Sequence, residues 1–466
     1  MTLCDAMAWL DRHVNLEATA GKVHGLSLDR MRSLAAALGD PQRDFPAVHI
    51  TGTNGKGSTA HLISRLFAAR GLYAGTYTSP HVSSINERIQ LAGAPIDDDT
   101  LAELLGDVRR VIEAAGIEPS WFEIMTGAAL RCFADAAVDV AVVEVGKLGR
   151  YDATNVVDGD VVVVTNVGED HTDGGPGWRA AVAWEKAGIV KPGALLVLGE
   201  TDPALREVFC EVGPSRTFLR GEDFACLRND LALGGRMLDI TAGGRYEDVF
   251  LELHGRHQGD NAALAIAACE AFFDTPLPAD VVSEAFAGAG LPGRLEVVGR
   301  APLTVVDGAH NPDGASAARV ALEEDFAGAA RTFMVIGMMR ERDPARMFEE
   351  IGADRCELLV TTTAPSPRGI PAVELARIAG EAGIGCAAVE DPAAALRHAP
   401  ADAADRDLPL RGRGRTQRRN DRIGHHLELL AETSGDVRSP PVRTQHCPRG
   451  PTPGHSTELR HGDRRR

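Results

Sequence analysis

The chain has 466 residues, 44% of them apolar, and 49 basic against 66 acidic residues give it a formal net charge of −17. That balance disfavours general binding of nucleic acid or of an anionic membrane, and no run approaches the roughly 18 to 20 apolar residues of a membrane span. The eight cysteines are scattered without a C-x-x-C pair, which argues against a zinc knuckle or a disulfide framework and fits a reducing compartment. The first residues carry Asp5, Asp11 and Arg12 and lack a signal-peptide core, so a cytoplasmic protein is expected. Only five residues are lysine (22, 56, 147, 186 and 191) against 44 arginines, so each lysine draws attention.

In chain order, residues 1 to about 46 read as helix, loop, helix. Ala47 to Ile50 is a short apolar strand, and Gly52-Thr53-Asn54-Gly55-Lys56-Gly57 follows it. Ser58-Thr59 reads as a capping pair that opens a helix. A second strand ends near Tyr77. Residues 99–116 and 122–134 have helical periodicity. Val138–Val145 and Val161–Asn166 are nearly continuous β-branched runs, as in parallel strands covered on both faces. Residues 181–191 predict a helix, Leu195–Leu198 a strand, 215–254 short β pieces and 257–288 helix. Pro292-Gly293-Arg294-Leu295-Glu296 reads as a linker into a second alternation. That unit has strands at 303–307, 332–337 and 357–362, with helices at 313–326, 344–351 and 371–382. The fold class is therefore α/β: a doubly wound parallel-sheet domain carrying a Gly-rich loop of P-loop type over 1–298, then a smaller Rossmann-like α/β domain over 299–405. From 406 to 466 the chain becomes Arg-, Pro- and His-rich and reads as a disordered tail.

Strand, Gly-rich turn and helix N-terminus together form a phosphate cradle. Backbone N–H groups converge there, the helix dipole adds positive charge, and Lys56 faces the phosphates. The strict pattern is G-x-x-x-x-G-K-[ST]; here Gly57 follows the lysine and the hydroxyls come one place later, at Ser58 and Thr59. Phosphate chemistry calls for a divalent cation with oxygen ligands. Ser79, Glu144 and His171 each follow a predicted strand on the edge where open α/β sheets bind ligands. Each also has a plain structural reading as a turn or strand-end residue. Lys186 lies near a helix end. Asp307-Gly308-Ala309-His310 can grip a ribose or form an Asx turn. Arg294 in the linker can reach a phosphate.

Taken together, these motifs resemble folylpolyglutamate synthases and dihydrofolate synthases of the Mur ligase family. The matching stretches are Leu26–Met31, Gly52–Ser58, Thr78-Ser79-Pro80-His81, Asn86–Ile89, Phe122-Glu123, Glu144-Val145-Gly146 and Asp152–Asn155. They continue through Asp170-His171, Glu185–Ile189, Gly255–Gln258, Asn261, Pro292–Glu296, Asp307–Pro312 and Pro367-Arg368. The resemblance implies an ATP-dependent ligase that adds L-glutamate to dihydropteroate or a folate through an acyl phosphate. It assigns Gly52, Thr53, Asn54, Gly55, Lys56, Gly57, Ser58, Thr59, Asn261, Arg294 and Asp307 to ATP. It assigns Ser58, Ser79, Glu144, His171 and a carbamylated Lys186 to Mg2+, and Lys56, Lys186, His310 and Arg294 to catalysis. The implied partners are small molecules, with no nucleic acid and no membrane, and the implied state is a monomer.

The chain departs from the family pattern in three places. Leu148 stands where the family has glycine, which predicts a strained turn. Arg342-Asp343 stands where Lys-Asp is usual. The family's closing strand and T-G-S turn have no counterpart after Asp405, and the change of composition there looks like a change of reading frame. On this reading the second domain lacks its last βα unit. The competing functions are then another Mur-type amino-acid ligase or a nucleotide-binding homologue with impaired catalysis.

Overall fold

The computed structural model describes residues 2–15, 27–170, 174–300, 302–327, 331–405 and 424–430. His171, Lys22 and most of the basic tail lie outside the described residues. The strands of the first domain are β1 (Ala47–Thr51), β2 (Ala74–Tyr77), β3 (Ile89–Leu91), β4 (Ala94–Pro95), β5 (Val140–Glu144), β6 (Val161–Val164), β7 (Leu195–Leu198) and β8 (Arg216–Leu219). They form one sheet of order β4-β3-β2-β5-β1-β6-β7-β8. From β2 to β8 every pair is parallel, while β3 and β4 add an antiparallel edge.

Helices cover both faces of this sheet. They are α1 (Leu3–Leu10), α2 (Asp29–Ala37), α3 (Lys56–Ala69), α4 (Asp98–Ala115), α5 (Trp121–Asp135), α6 (Trp178–Ala187), α7 (Pro203–Cys210), α8 (His257–Phe273) and α9 (Ala279–Ala287). Strand β5 shows why its sequence reads as an unbroken apolar run. Val140 and Val142 face the core shared with α3, α8 and α9, and Ala141 and Val143 face the core under α4 and α5. Alternate residues point to opposite faces, and both faces are dry. The helix expected over 257–288 is divided into α8 and α9. Asp274 caps α8 in a left-handed conformation, and Pro276 and Pro278 cannot continue a helix. The β-rich stretch forms a three-stranded antiparallel sheet of β9 (Ala225–Ala232), β10 (Gly235–Thr241) and β11 (Arg245–Leu251), which packs against α8 through Leu238, Ile240 and Val249.

The second domain has β12 (Glu296–Arg300), β13 (Leu303–Asp307), β14 (Arg331–Gly337), β15 (Leu358–Thr362), β16 (Cys386–Ala388) and β17 (Gly424–Leu430). Its helices are α10 (Pro312–Glu324), α11 (Pro344–Ile351), α12 (Ala372–Glu381) and α13 (Pro392–Asp405). The strand order is β12-β13-β17-β14-β15-β16. The expected loss of the closing βα unit is therefore corrected for its strand, while its helix lies outside the described residues. Seven residues of the tail lie in parallel between β13 and β14, with Leu427 opposite Val305 on one side and Met334 on the other. The signal was present in Leu427-Glu428-Leu429-Leu430, the one apolar run in the basic tail.

Candidate active site

The phosphate loop leaves the C-terminal end of β1 at the centre of the sheet, between β5 and β6. Helix α3 begins at Lys56, with Gly55 as its N-cap at φ +83°. This corrects the capping role expected of Ser58 and Thr59. Both are buried inside the first turn, because a left-handed glycine, rather than a hydroxyl, turns the chain into the helix. A Cβ on Gly55 would stand 2.4 Å from Asn261 Oδ1, so Asn261 on α8 lies directly against the loop.

The end of β6 braces the loop from the other side. Asn166 Oδ1 accepts from the N–H groups of Thr53 (3.2 Å) and Asn54 (3.0 Å). Thr165 Oγ1 donates to Asn54 O at 2.6 Å, and Thr53 Oγ1 donates to Gly168 O at 3.1 Å. Lys56 Nζ folds back to donate to Gly52 O (3.1 Å) and Thr53 O (3.2 Å). The ammonium thus rests on the loop's own carbonyls.

Glu144 ends β5, the neighbour of β1, and is buried. Its Oε1 and Oε2 face Gly57, 3.6 and 3.5 Å from where a Cβ there would be. Its Oε2 also accepts from the Ser79 N–H at 3.0 Å. Burial pushes its pKa up, against the opposing pull of Lys56, the Ser79 N–H, Arg294 and Arg88. Glu144, Lys56, Ser79 and the linker residue Arg294 therefore share one electrostatic neighbourhood. A carboxylate this buried needs cationic partners to stay charged.

Lys186 lies in the last turn of α6 and is 3% exposed. Burial, and then the charge of Lys56, lower its pKa to about 7, against the pull of Asp170. The loop after β5 fixes this end of α6. Arg150 N donates to Glu185 O at 2.8 Å, and a Cβ on Gly149 would come 3.2 Å from Lys186 Cα. In the same loop Leu148 has φ +59°, the left-handed strain expected where the family has glycine.

Residues of the second domain reach the same place. Asp307 ends β13, and its two oxygens accept from Ala309 N (2.8 Å) and Leu295 N (2.9 Å). The Asx turn is formed, and lone pairs remain on both oxygens. His310 Nδ1 lies 3.1 Å from Gly308 O, and Nε2 lies 3.8 Å from Asp170 Oδ2. Asn311 and Asn54 exchange amide hydrogen bonds of 2.9 and 3.2 Å across the domains. Arg342 pairs with Asp170 at 2.8 Å and Arg346 with Glu169 at 2.7 Å. Asn166, Asn311, Arg342 and Arg346 were not singled out as site residues. Asn311 and Asn166 carried a signal, since each follows a strand on the ligand-binding edge.

The fold thus gathers Lys56, Ser58, Ser79, Glu144, Lys186 and Asn261 from the first domain with Arg294, Asp307 and His310 from the linker and second domain. Among the described residues no group of three or more His, Cys, Asp or Glu side chains is placed to hold a metal. The donor set still fits a hard cation. It offers one buried carboxylate and two hydroxyls, Thr59 Oγ1 is buried without a hydrogen-bond partner, and a carbamate on Lys186 would supply a second anionic oxygen donor.

A phosphate loop in a doubly wound domain, faced by a second α/β domain that reaches onto the loop, defines a Mur-type ligase. The Mur ligase middle domain matches residues 99–269, and the Mur ligase glutamate ligase domain matches 293–410. The dihydrofolate synthase/folylpolyglutamate synthase of Mycobacterium tuberculosis is 38% identical over 76% of this chain and 78% of its own length. The Bacillus subtilis protein of the same name is 33% identical over 74% and 82%. The M. tuberculosis folylpolyglutamate synthase complexed with ADP and AMPPCP superposes with a TM-score of 0.83 at 33% identity, covering 92% of this chain and 95% of that one. An Escherichia coli FolC complexed with DHPP and ADP gives 0.75 at 28% identity, covering 92% and 95%. The chain belongs to the dihydrofolate synthase/folylpolyglutamate synthase family.

Proposed function

We propose that this chain ligates L-glutamate to dihydropteroate, to a tetrahydrofolate or to both, at the expense of ATP. The observation that carries this reading is the direct seating of the second domain's Asp307–Asn311 turn on a phosphate loop flanked by Glu144 and Lys186. A carboxylate does not acylate an amine at neutral pH, because its oxygen is a poor leaving group. In the reaction, a carboxylate oxygen of the pterin substrate attacks the γ-phosphorus of ATP, giving an acyl phosphate and ADP. The glutamate ammonium loses one proton to become the attacking amine, its nitrogen loses a second to solvent once it is bonded to the acyl carbon, and the tetrahedral intermediate expels phosphate to leave the amide.

In this reading the loop N–H groups and Lys56 hold the β- and γ-phosphates, with Lys56 exchanging Gly52 O and Thr53 O for phosphate oxygens. Arg294 stabilises charge on the transferred group. Asn261 and Asp307 position the nucleotide, and His310 lies where the two domains meet over the reacting atoms. Glu144, Ser79, Ser58 and a carbamylated Lys186, with His171 as the further ligand named from the sequence, would hold a magnesium ion, which would supply charge neutralisation on the phosphates. The second domain keeps water from the acyl phosphate. The enzyme works as a cytoplasmic monomer without nucleic acid. The formal net charge of −17 supports the part of this reading that leaves out nucleic acid.

The test is glutamate incorporation in the presence of ATP and Mg2+, with dihydropteroate or tetrahydrofolate whose carboxylate carries oxygen-18. Amide formation with one labelled oxygen transferred to phosphate is the expected result. ATP binding without incorporation supports the impaired homologue instead.

A further inference from the structure

Apart from the Arg342–Asp170 and Arg346–Glu169 pairs, one helix spans two places where the second domain grips the first. At its front, Asn311 is the N-cap of α10, accepting from Gly314 N at 2.8 Å while its amide pairs with Asn54 of the phosphate loop. Helix α10 is 13 residues long, or about 20 Å. It lies on the second sheet through buried Ala315, Ala318 and Ala321. At its rear the C-cap residue, Asp325, enters a socket made entirely by the first domain. Asp325 Oδ1 accepts from Arg236 Nη1 at 2.8 Å, its Oδ2 accepts from Gly255 N at 3.0 Å, and His254 Nδ1 stands 3.5 Å from Oδ2. The side chains of Arg236 and Asp325 are 2% and 1% exposed.

The socket is held in place from the first domain's side. Arg236 Nε donates to Asn229 Oδ1 at 2.7 Å and Nη2 to Asn229 O at 3.2 Å. Asn229 Nδ2 donates in turn to Arg256 O at 2.7 Å. The guanidinium is thereby fixed by the β9–β10 hairpin, with Nη1 left for Asp325. The segment 254–256 that donates to Asp325 runs straight into α8, whose Asn261 touches Gly55 of the phosphate loop. The rear socket and the phosphate loop are thus two ends of one rigid frame, and α10 is the rod across it.

We propose that Asp325 is a positioning residue, whose anchorage to Arg236 and Gly255 aims the front of α10 so that Asn311 seats on Asn54 of the phosphate loop. It acts from far outside the reacting atoms, through α10. The kinetic part of its test rests on the ligase reading, and the exchange part does not.

The experiment compares the full chain with its Asp325→Ala and Asp325→Asn variants. Hydrogen exchange is expected to accelerate about tenfold in Asp325→Ala at residues 311–318 as well as at the rear of α10, a size typical of coupling through packed elements. Asp325→Asn, which keeps an acceptor for Gly255 N, is expected to recover most of this protection. In the ligation assay kcat falls about tenfold in Asp325→Ala while the KM for ATP stays within about threefold. Acceleration confined to 321–326, or loss of thermal stability with kcat unchanged, overturns the proposal. If Asp325→Ala does not fold, Arg236→Met with Asp325→Asn removes the ion pair without leaving a buried unpaired charge, and the same outcomes apply. If the wild-type chain ligates no glutamate, the functional reading fails, and the exchange pattern alone decides whether Asp325 positions α10.

Discussion

Individual side chains carry the sharpest predictions. If Lys186 is carbamylated as proposed, it would react only as the free amine, which would attack CO2 and release a proton. With its pKa lowered to about 7 by burial, the free fraction rises from about a tenth at pH 6 to about nine-tenths at pH 8. Bicarbonate added to CO2-depleted enzyme is therefore expected to restore more activity at pH 8 than at pH 6, while Lys186→Arg stays inactive at both. Leu148, at φ +59°, makes a different prediction. Replacing it by glycine relieves about 1 kcal/mol of left-handed strain, which offsets the loss of a half-buried side chain. Thermal denaturation of Leu148→Gly should differ from wild type by only a few degrees, whereas Leu34→Ala, in a fully buried position, should cost about 2–5 kcal/mol. This scale was the most legible in the sequence. Lys56, Glu144, Ser79 and Asp307 announce themselves because each follows an apolar strand at the ligand-binding edge. Arg342 and Arg346 did not, because what makes them matter is a partner in the other domain, and no local pattern encodes that partner.

At the scale of elements, the parallel strands read true because their valines are buried on both faces. The helix starts read less well. Ser58-Thr59 has the chemistry of a cap, yet Gly55 ends the loop, since only a residue at ease with positive φ fits beside Asn261. The α3 and β1 cores also hold two histidines that periodicity reads simply as interior. Burial first, then the charges of Lys191 for His49 and Arg65 for His61, lower their pKa values to about 3 and about 4. The unfolded chain, with an ordinary histidine pKa of about 6.5, takes up the protons first. Stability is thus fully present above about pH 6.5 and falls as pH drops toward 4, by about 1.4 kcal/mol per pH unit for each histidine. Urea titrations of His61→Leu between pH 7 and 4 should show roughly half the slope that these two residues give the wild type.

For the whole molecule, the domain alternation was legible but the composition of the tail misled. An Arg- and Pro-rich context hid a strand whose placement depends on a sheet formed far earlier in the chain. Because β17 lies between β13 and β14, a chain stopped after Asp405 leaves both of those strands with unpaired backbone groups. Limited proteolysis of that truncation should degrade residues 296–405 quickly and leave the first domain intact; equal resistance to the full chain would show that β17 contributes nothing. The same placement governs how the molecule is made. The ribosome delivers β13, β14, β15 and β16 before the strand that belongs in their middle. Until residues 424–430 emerge, β13 and β14 are free to zip directly together, a register that must be undone for the native order to form. The first domain can mature while translation continues, but the second has to wait. Its last step is non-local and therefore slow, and only that step completes the domain that brings Asp307 and His310 to the shared site.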